Sequence, residues 1–249
     1  MSPVATTTTP GHSPEQAGPG TSNGVIASFD IFDTVLTRVV TNPTSVWLLL
    51  GKRLAAGGLI ETTPEAFMRM RRAAQERIHR NSRWCEFTLR QVYAELAAYL
   101  GWSEEETAEI MAEEYRVESE LLRVLPGAHQ LIEEMRLRGH QVAFLSDMYL
   151  EKDFLWEQLR KHGLCQEGDR CHVSCELGHP KRTGEAFRVM AKLHNVDVRR
   201  IIHHGNHPEF DIRGGQRAGA QTRALYEGNP NRFEKILEAR VFDTQGLSA

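Results

Sequence analysis

The sequence has no long apolar run and no excess of charge of either sign. A membrane-spanning helix needs roughly 18 or more consecutive apolar residues, and no segment reaches that length. Lys and Arg together number 30, and Asp and Glu number 33, which gives a net charge of -3. A nucleic-acid-binding domain is expected to carry a clustered basic face. We therefore expect neither a membrane nor a nucleic acid among the partners of this chain.

Cysteine is also scarce, with 4 residues in a chain of 249. Residues 1–23 consist largely of Thr, Pro, Gly and Ser and contain no apolar stretch of the kind that a secretory signal needs. Such a composition has almost nothing to bury, so we predict a disordered tail over this range. Without a secretory signal, reduced thiols and a cytoplasmic location are the expectation.

Two clusters of cysteine and histidine invite comparison with zinc sites. Cys171, His172 and Cys175 fall in CHVSC, which alternates like a strand, so the two cysteines are better explained as small buried residues on one face. His203 and His204 are neighbours on another predicted strand and would point to opposite faces. Neither cluster favours a shared set of metal ligands.

A long stretch from residue 40 to residue 122 has the pattern of consecutive helices. Apolar residues recur at spacings of three and four, the segments begin with Ser or Thr, and two of them end in Gly. The four segments are TSVWLLLGKRLAAGG, TPEAFMRMRRAAQERIHR, TLRQVYAELAAYLG and SEEETAEIMAEEYRVESELLRVL. We predict a helical cap domain over 40–122, inserted into a core formed by 24–39 and 123–249.

The core segments alternate between strand and helix patterns. VIASFD (25–30) is a short apolar run that ends in an acid, which is typical of a buried parallel strand. The later predicted strands are 141–146, 171–175, 200–205 and 220–225, and the predicted helices are 128–138, 150–162, 182–194, 209–218 and 230–240. Connections between parallel strands must cross a face of the sheet. The sequence therefore predicts an α/β fold with a doubly wound, parallel, Rossmann-like sheet and an inserted all-helical cap domain.

Polar side chains lie at the ends of successive predicted strands. Asp30, Ser146 and Asn206 end or follow strands, Lys181 begins the helix after the third strand, and Asp211 comes shortly after Asn206. Ligands of open parallel sheets bind at this edge. A carboxylate can act as a covalent nucleophile, and an ammonium beside it neutralises both the carboxylate and an anionic substrate. We expect a site for a small anionic molecule, with Asp30, Lys181 and Ser146 in catalytic positions.

Four of these residues also have a plainer structural explanation. An Asp that ends a strand, such as Asp30, is usually a helix cap or a turn residue. Ser146 can act as the N-cap of the helix that follows it, and Asp211 can cap the helix that it opens. Lys181 can be a solvated residue at a helix start. The interpretation of these residues as a functional site depends on all five of them lying at successive strand ends.

Four segments resemble the motifs of the haloacid-dehalogenase-like hydrolase superfamily. SFDIFDTVLTR (28–38) resembles the first motif, in which an aspartate nucleophile ends the first strand. FLSDMYL (144–150), HPKRTGEAF (179–187) and HHGNHPEFDIRGGQRAGAQT (203–222) resemble the second, third and fourth motifs in the family's order. The pairing of FDIFDT with SDMYL is similar to an uncharacterised branch that carries a helical cap.

The resemblance implies a role for each matching position. Asp30 is the implied nucleophile, and Lys181 and Ser146 are its implied catalytic partners. Three further residues are implied to contact the substrate, namely Thr34, Asp147 and the cap residue Arg72. The implied cofactor is Mg²⁺, at the positions of Asp30, Phe32, Asn206 and Asp211.

Two positions depart from the pattern of the family's phosphatases. The residue two after the nucleophile is there a second Asp, which protonates the leaving group, whereas this chain has Phe32. Asp33 is an acid, but it stands where the family usually has Gly. Asn206 replaces the motif-four Asp that normally binds the metal, and a neutral amide oxygen is a weaker ligand for Mg²⁺. Dehalogenase members of the family share both departures and use no metal.

The resemblance implies a hydrolase with an aspartate nucleophile. A phosphatase for a small phosphorylated metabolite is the favoured activity. One alternative is a metal-independent, dehalogenase-like or lyase-type displacement at Asp30, since a halide leaves without a proton. Another is a non-catalytic protein that binds a phosphate or pyrophosphate ligand.

Overall fold

The computed structural model describes residues 24–40, 42–81 and 86–238. The predicted tail, residues 1–23, lies outside the described residues, as do Cys85 and the end of the last predicted helix. Within the described part of the chain, no helix combines the length and the hydrophobicity needed to span a bilayer.

The described strands form a parallel five-stranded sheet and a separate antiparallel ribbon. In chain order they are β1 (Ile26–Phe29), β2 (Leu36–Arg38), β3 (Leu122–Val124), β4 (Gln141–Ser146), β5 (Arg170–Val173), β6 (Ile201–Gly205) and β7 (Gln221–Ala224). The order across the large sheet is β5-β4-β1-β6-β7. All of β1 is buried, because this strand lies at the centre between β4 and β6. The predicted α/β fold with a parallel, Rossmann-like sheet is confirmed.

Helices cover both faces of the sheet and form the cap. They are α1 (Thr44–Ala56), α2 (Pro64–Asn81), α3 (Leu89–Leu100), α4 (Glu104–Leu121), α5 (Ala128–Leu137), α6 (Lys152–Lys161), α7 (Ser174–Leu177), α8 (Glu185–Leu193), α9 (Gly214–Ala218) and α10 (Arg232–Glu238). Along β4, Phe144 belongs to the hydrophobic cluster of α5 and α6, whereas Leu145 belongs to that of α8. These consecutive residues point to opposite faces of the sheet, so helices pack on both faces and the sheet is doubly wound.

The strand order reverses at β1, and this reversal places the site. The chain runs from β1 outward to β4 and β5 on one side, and then returns to β6 on the other side of β1. Crossovers therefore leave the end of β1 on opposite sides, and a crevice opens there. Asp30 is the residue that follows β1, so it lies at this switch point.

The four predicted cap helices are present, but their first turns differ. Thr88 and Ser103 form capping boxes at α3 and α4, as the sequence indicates. At α1 the N-cap position is occupied by Pro43, and no side chain caps the helix there. Asn42 instead accepts hydrogen bonds from the backbone and hydroxyl of Thr44, at 2.9 and 2.7 Å.

The structure corrects two details of the predicted elements. β2 and β3 pair as a short antiparallel ribbon where the chain leaves and re-enters the core, and strands of three residues carry too little pattern to be predicted. CHVSC was predicted to be a strand throughout, but β5 ends at Val173 and the chain turns into α7. Cys171 is buried and Cys175 is partly exposed, so the two do not share a strand face.

A buried ion pair inside the cap also contacts the core. Arg71 of α2 and Glu114 of α4 form a two-pronged pair at 2.8 and 2.9 Å, and both side chains have 0% exposure. The hydroxyl of Tyr93 donates a further hydrogen bond to Glu114 at 2.7 Å. The guanidinium of Arg71 also lies 5.3 Å from the ring centre of Tyr149, which follows β4 in the core. The loop after β4 is thereby fastened to the cap.

We expect Arg71→Met to destabilise the protein strongly, because the change leaves the carboxylate of Glu114 buried without its partner. Removing one member of a buried pair costs about 3–5 kcal/mol. Urea denaturation checks this, with Arg72→Met as the matched control. Arg72 is 51% exposed and should change the free energy of unfolding by no more than about 0.5 kcal/mol. Equal stabilities for the two variants would contradict the assigned role.

Candidate active site

Asp30 is held at the end of β1 with both carboxylate oxygens bonded. Its backbone N–H donates to the carbonyl oxygen of His204 at 2.8 Å, which continues the sheet by one residue. Oδ1 accepts a hydrogen bond from Nζ of Lys181 at 2.7 Å, and Oδ2 accepts one from the hydroxyl of Thr34 at 3.3 Å. Asp30 is only 7% exposed. Three predicted site residues, Asp30, Lys181 and Thr34, therefore meet.

Lys181 lies between two carboxylates. Its Nζ is 2.7 Å from Oδ1 of Asp30 and 2.5 Å from Oδ1 of Asp211, and the side chain is 3% exposed. Its backbone N–H donates to both oxygens of Asp147, each at 2.9 Å. A Cβ on Gly214 would lie 2.3 Å from the carbonyl oxygen of Lys181, so this close packing requires glycine. Lys181 is thus a buried residue of the site and not a solvated lysine.

Asp211 orients the lysine. It lies in a π-helical turn, Pro208–Arg213, that replaces the first part of the predicted helix 209–218. Oδ1 accepts hydrogen bonds from Lys181 and from Nε2 of His203, the latter at 3.1 Å, and Oδ2 accepts one from the backbone N–H of His207 at 2.8 Å. Both oxygens are therefore engaged by donors.

His203 is a member of the site that the sequence did not indicate. Its Nδ1 lies 3.0 Å from the hydroxyl of Ser28 on β1, and its ring is buried against Phe187. Burial lowers the pKa of His203, so the ring is neutral and carries one N–H. Because the carboxylate of Asp211 can only accept, we assign that proton to Nε2, and Nδ1 accepts from Ser28. His204 stacks on Phe29 at 4.7 Å, on the opposite face of the sheet.

Burial and charge act in opposite directions on the three ionisable groups. Burial raises the pKa of Asp30 to about 7, with Lys181 opposing the rise and Asp211 adding to it. Burial also acts to raise the pKa of Asp211, but Lys181 and His203 outweigh it and hold this pKa well below its usual range. The pKa of Lys181 lies well above its ordinary value, because the two carboxylates outweigh burial. The ammonium is therefore permanent, and Asp30 is the group that titrates.

The fold of this chain is shared with solved structures of low sequence identity. No protein-family model and no curated protein matches the chain. Among solved structures, a 2-haloacid dehalogenase from Pseudomonas syringae pv. Tomato matches with a TM-score of 0.59 and 19% identity, over 83% of this chain and 88% of that chain. The chain has the haloacid-dehalogenase-like fold. The predicted resemblance to this superfamily is confirmed at the level of the fold.

Two further structures with this fold carry different descriptions. A putative HAD-hydrolase from Bacillus subtilis bound to magnesium matches with a TM-score of 0.55 and 20% identity, over 82% of this chain and 89% of that chain. A predicted phosphoglycolate phosphatase from Haemophilus somnus matches with a TM-score of 0.52 and 13% identity, over 89% of this chain and 100% of that chain. Identities this low indicate a shared fold and do not indicate a shared reaction.

The turn after Asp30 has no acid directed at the site. Phe32, at the position of the phosphatases' second Asp, lies under the guanidinium of Arg38, whose carbon is 4.2 Å from the ring centre. Asp33 has a φ of 56°, which is the left-handed conformation that favours Gly, the usual family residue there. Its carboxylate accepts a hydrogen bond from the hydroxyl of Thr37 at 2.9 Å. Asp33 is therefore occupied in bracing the start of β2.

The remaining predicted site residues are Ser146, Asp147 and Arg72. Ser146 ends β4 beside β1 and is 2% exposed. Asp147 was assigned to the substrate, and its carboxylate binds the backbone of Lys181. Arg72 was also assigned to the substrate, but it is half exposed and pairs with Glu76 on its own helix at 3.3 Å. The structure does not bring Arg72 into the hydrogen-bonded group around Asp30, because its neighbour Arg71 points inward instead.

The predicted magnesium positions do not assemble into a set that fits Mg²⁺. Asp211 is engaged by Lys181, His203 and a backbone N–H, and the side chain of Phe32 has no donor atom. Asn206 Oδ1 lies 3.4 Å from the same Thr34 hydroxyl that bonds Asp30, which leaves one carboxylate and one amide beside an ammonium. Among the described residues, no group of three or more His, Cys, Asp or Glu side chains is arranged to hold a metal.

We expect Lys181→Met to destabilise the protein more at pH 8 than at pH 4.5. Without the ammonium, burial raises the pKa of both carboxylates, so the folded state holds protons that the unfolded state releases above about pH 4. Stability must then fall as the pH rises through this range. Urea denaturation at the two pH values measures this, with exposed Lys192→Met as the control. A difference from wild type that does not depend on pH would contradict the arrangement.

We expect His203→Leu to lower turnover by about tenfold or more, because Asp211 loses a donor and Lys181 is less well held. His203→Gln keeps an N–H in a similar place and should recover part of this loss. Steady-state kinetics on p-nitrophenyl phosphate, with melting temperatures for both variants, separate the two cases. If Gln and Leu give equal activity, His203 contributes volume and not a hydrogen bond.

Proposed function

We propose that this chain is a hydrolase that forms a covalent intermediate on Asp30, and that its substrates are small phosphate monoesters. The observation that carries the proposal is the buried Asp30–Lys181–Asp211 arrangement at the switch point of the sheet. Lys181 opposes the rise that burial causes in the pKa of Asp30, and it offers positive charge to an anionic substrate. Asp211 keeps the ammonium in place between the two carboxylates.

The geometry favours one oxygen of Asp30 as the attacking atom. Oδ1 is bonded to Lys181 at 2.7 Å, whereas Oδ2 has the longer 3.3 Å contact with Thr34. In the proposed first step, Oδ2 forms a bond to phosphorus and the bond from phosphorus to the alcohol oxygen breaks. The alcohol oxygen keeps the electron pair of that bond and takes a proton from water, so the product leaves as the neutral alcohol. Water then attacks the acyl phosphate, which releases inorganic phosphate and restores the carboxylate of Asp30.

A second candidate is displacement of halide from a 2-halo acid, and the lining of the turn favours it. Phe32 supplies no proton to a leaving group, and halide needs none. Oδ2 would bond to carbon as the carbon–halogen bond breaks, and water would hydrolyse the ester. One structure with the same fold is a 2-haloacid dehalogenase, which agrees with this candidate, although that activity belongs to the other protein.

Two assays separate the candidates. Phosphate release from p-nitrophenyl phosphate is measured with Mg²⁺ and with EDTA, and chloride release from 2-chloropropionate is measured in parallel. We expect phosphate release that Asp30→Asn abolishes. Asp33→Asn is the matched control, because its carboxylate faces Thr37 and Asn also tolerates positive φ. The absence of both products would contradict catalysis and favour a protein that only binds its ligand.

We expect the double change Phe32→Asp with Asn206→Asp to raise Mg²⁺-dependent phosphatase activity. It restores a leaving-group acid, which is typically worth about 10²–10⁴ in rate, and a second carboxylate near Asp30. Phosphate release against Mg²⁺ concentration measures the gain, and Phe32→Asn serves as the control without an acid. If halide displacement is the native reaction, the added carboxylates raise the pKa of Asp30 and chloride release falls instead.

A further inference from the structure

A cavity of about 380 Å³ lies between the core and the cap. It is lined from the core by Asp147, Met148, Tyr149, Ser174, Pro180, Arg182 and Phe210, and from the cap by His79, Glu86 and Phe87. Asp147 directly follows Ser146, and Pro180 directly precedes Lys181, so the cavity adjoins the site at the same edge of the sheet. Its volume falls in the range of small-molecule sites, roughly 300–1,000 Å³.

The lining combines hydrogen-bond acceptors, a donor and aromatic faces. Glu86 and Asp147 supply carboxylate oxygens, and Arg182 supplies a guanidinium. The rings of Phe87 and Tyr149 are nearly parallel, with centroids 6.1 Å apart and an angle of 8° between their planes. A ligand with hydroxyl groups can donate to the carboxylates, accept from the guanidinium and place its C–H surface on the rings. An ammonium ligand would be attracted by the two carboxylates but repelled by Arg182, and it has no lone pair to offer the guanidinium.

Glu86 lies just before a joint between the cap and the core. Three residues later, the backbone N–H of Leu89 donates to the carbonyl oxygen of Tyr149 at 2.8 Å, and Thr88 caps α3. Burial raises the pKa of Glu86 to about 7, with the hydroxyl of Ser174 opposing the rise and Asp147 adding to it. Whether ionised or protonated, this carboxyl group keeps an oxygen that can accept a hydrogen bond from a hydroxyl group.

We propose that Glu86 is a specificity-determining residue that accepts a hydrogen bond from a hydroxyl group on the alcohol part of the substrate. This inference rests on the proposed function, because the alcohol is the leaving group when Oδ2 of Asp30 attacks phosphorus. The substrate class that follows is a phosphate monoester of a polyhydroxy alcohol. Its alcohol part extends from Asp30 into the cavity beside Asp147 and Glu86.

The test compares substrates that differ only in their hydroxyl groups. Glycerol 1-phosphate and propyl phosphate have the same carbon chain, and we expect kcat/KM to favour glycerol 1-phosphate by about tenfold or more. Glu86→Ala should bring this ratio close to one, and Glu86→Gln, which keeps an oxygen acceptor, should lie between. Exposed Glu109→Gln on α4 is the matched control and should leave the ratio unchanged.

Two further arms keep this test separate from that of the reaction itself. Calorimetric binding of the same two ligands to Asp30→Asn, with and without Glu86→Ala, reports recognition even if phosphate is never released. An unchanged glycerol-to-propyl ratio in Glu86→Ala would overturn the proposal. A preference for 2-aminoethyl phosphate over glycerol 1-phosphate would overturn it too, because the cavity would then select an ammonium group. Melting temperatures of the variants identify any loss that comes from misfolding.

Discussion

The ammonium of Lys181, shared by two buried carboxylates, is the interaction on which the rest of the site depends. One positive charge compensates Asp30 at 2.7 Å and Asp211 at 2.5 Å in a place with almost no exposure to water. An unpaired charge at such a depth would cost several kcal/mol or take up a proton. Asp211 also accepts hydrogen bonds from His203 and from a backbone N–H, so its negative charge is well stabilised. Asp30 has fewer donors, and burial therefore raises its pKa. The carboxylate whose pKa is raised is thus Asp30, the one at the crevice.

This arrangement is built by the sheet and not by the loops alone. Ser28 on β1 and His203 on β6 are register partners in adjacent strands, and their hydrogen bond fixes the ring of His203. That ring in turn donates to Asp211, so the pairing of the strands helps to position Asp211. Close backbone approach completes it. A Cβ on Gly205 would lie 2.4 Å from the side-chain carbon Cγ of Asp211, and one on Gly214 would meet the carbonyl oxygen of Lys181. Packing as tight as this leaves the ammonium little freedom to move.

The central strands, the cap helices and the meeting of Asp30, Thr34, Lys181 and Asp211 could be predicted from the sequence, because apolar period and motif order both report on them. Other features depend on tertiary packing. His203 looks like any strand residue until β1 places Ser28 beside it. Arg71 and Arg72 are adjacent in a run of arginines, and only the position of α4 decides that Arg71 turns inward toward Glu114. The π-helical turn around Asp211 likewise depends on packing, because this segment lies against β6 and against the turn Lys181–Thr183.

The cap is connected to the site through the loop that follows β4. Arg71 contacts Tyr149, and the backbone of Leu89 bonds the same residue, so the loop after β4 is held by two cap helices. That loop also carries Asp147, whose carboxylate binds the backbone of Lys181. A displacement of the cap must therefore strain the segment that positions the lysine. Glu86, three residues before Leu89, lines the same cavity as Asp147. The cap, the loop after β4 and the backbone of Lys181 are in this way linked by a continuous series of contacts.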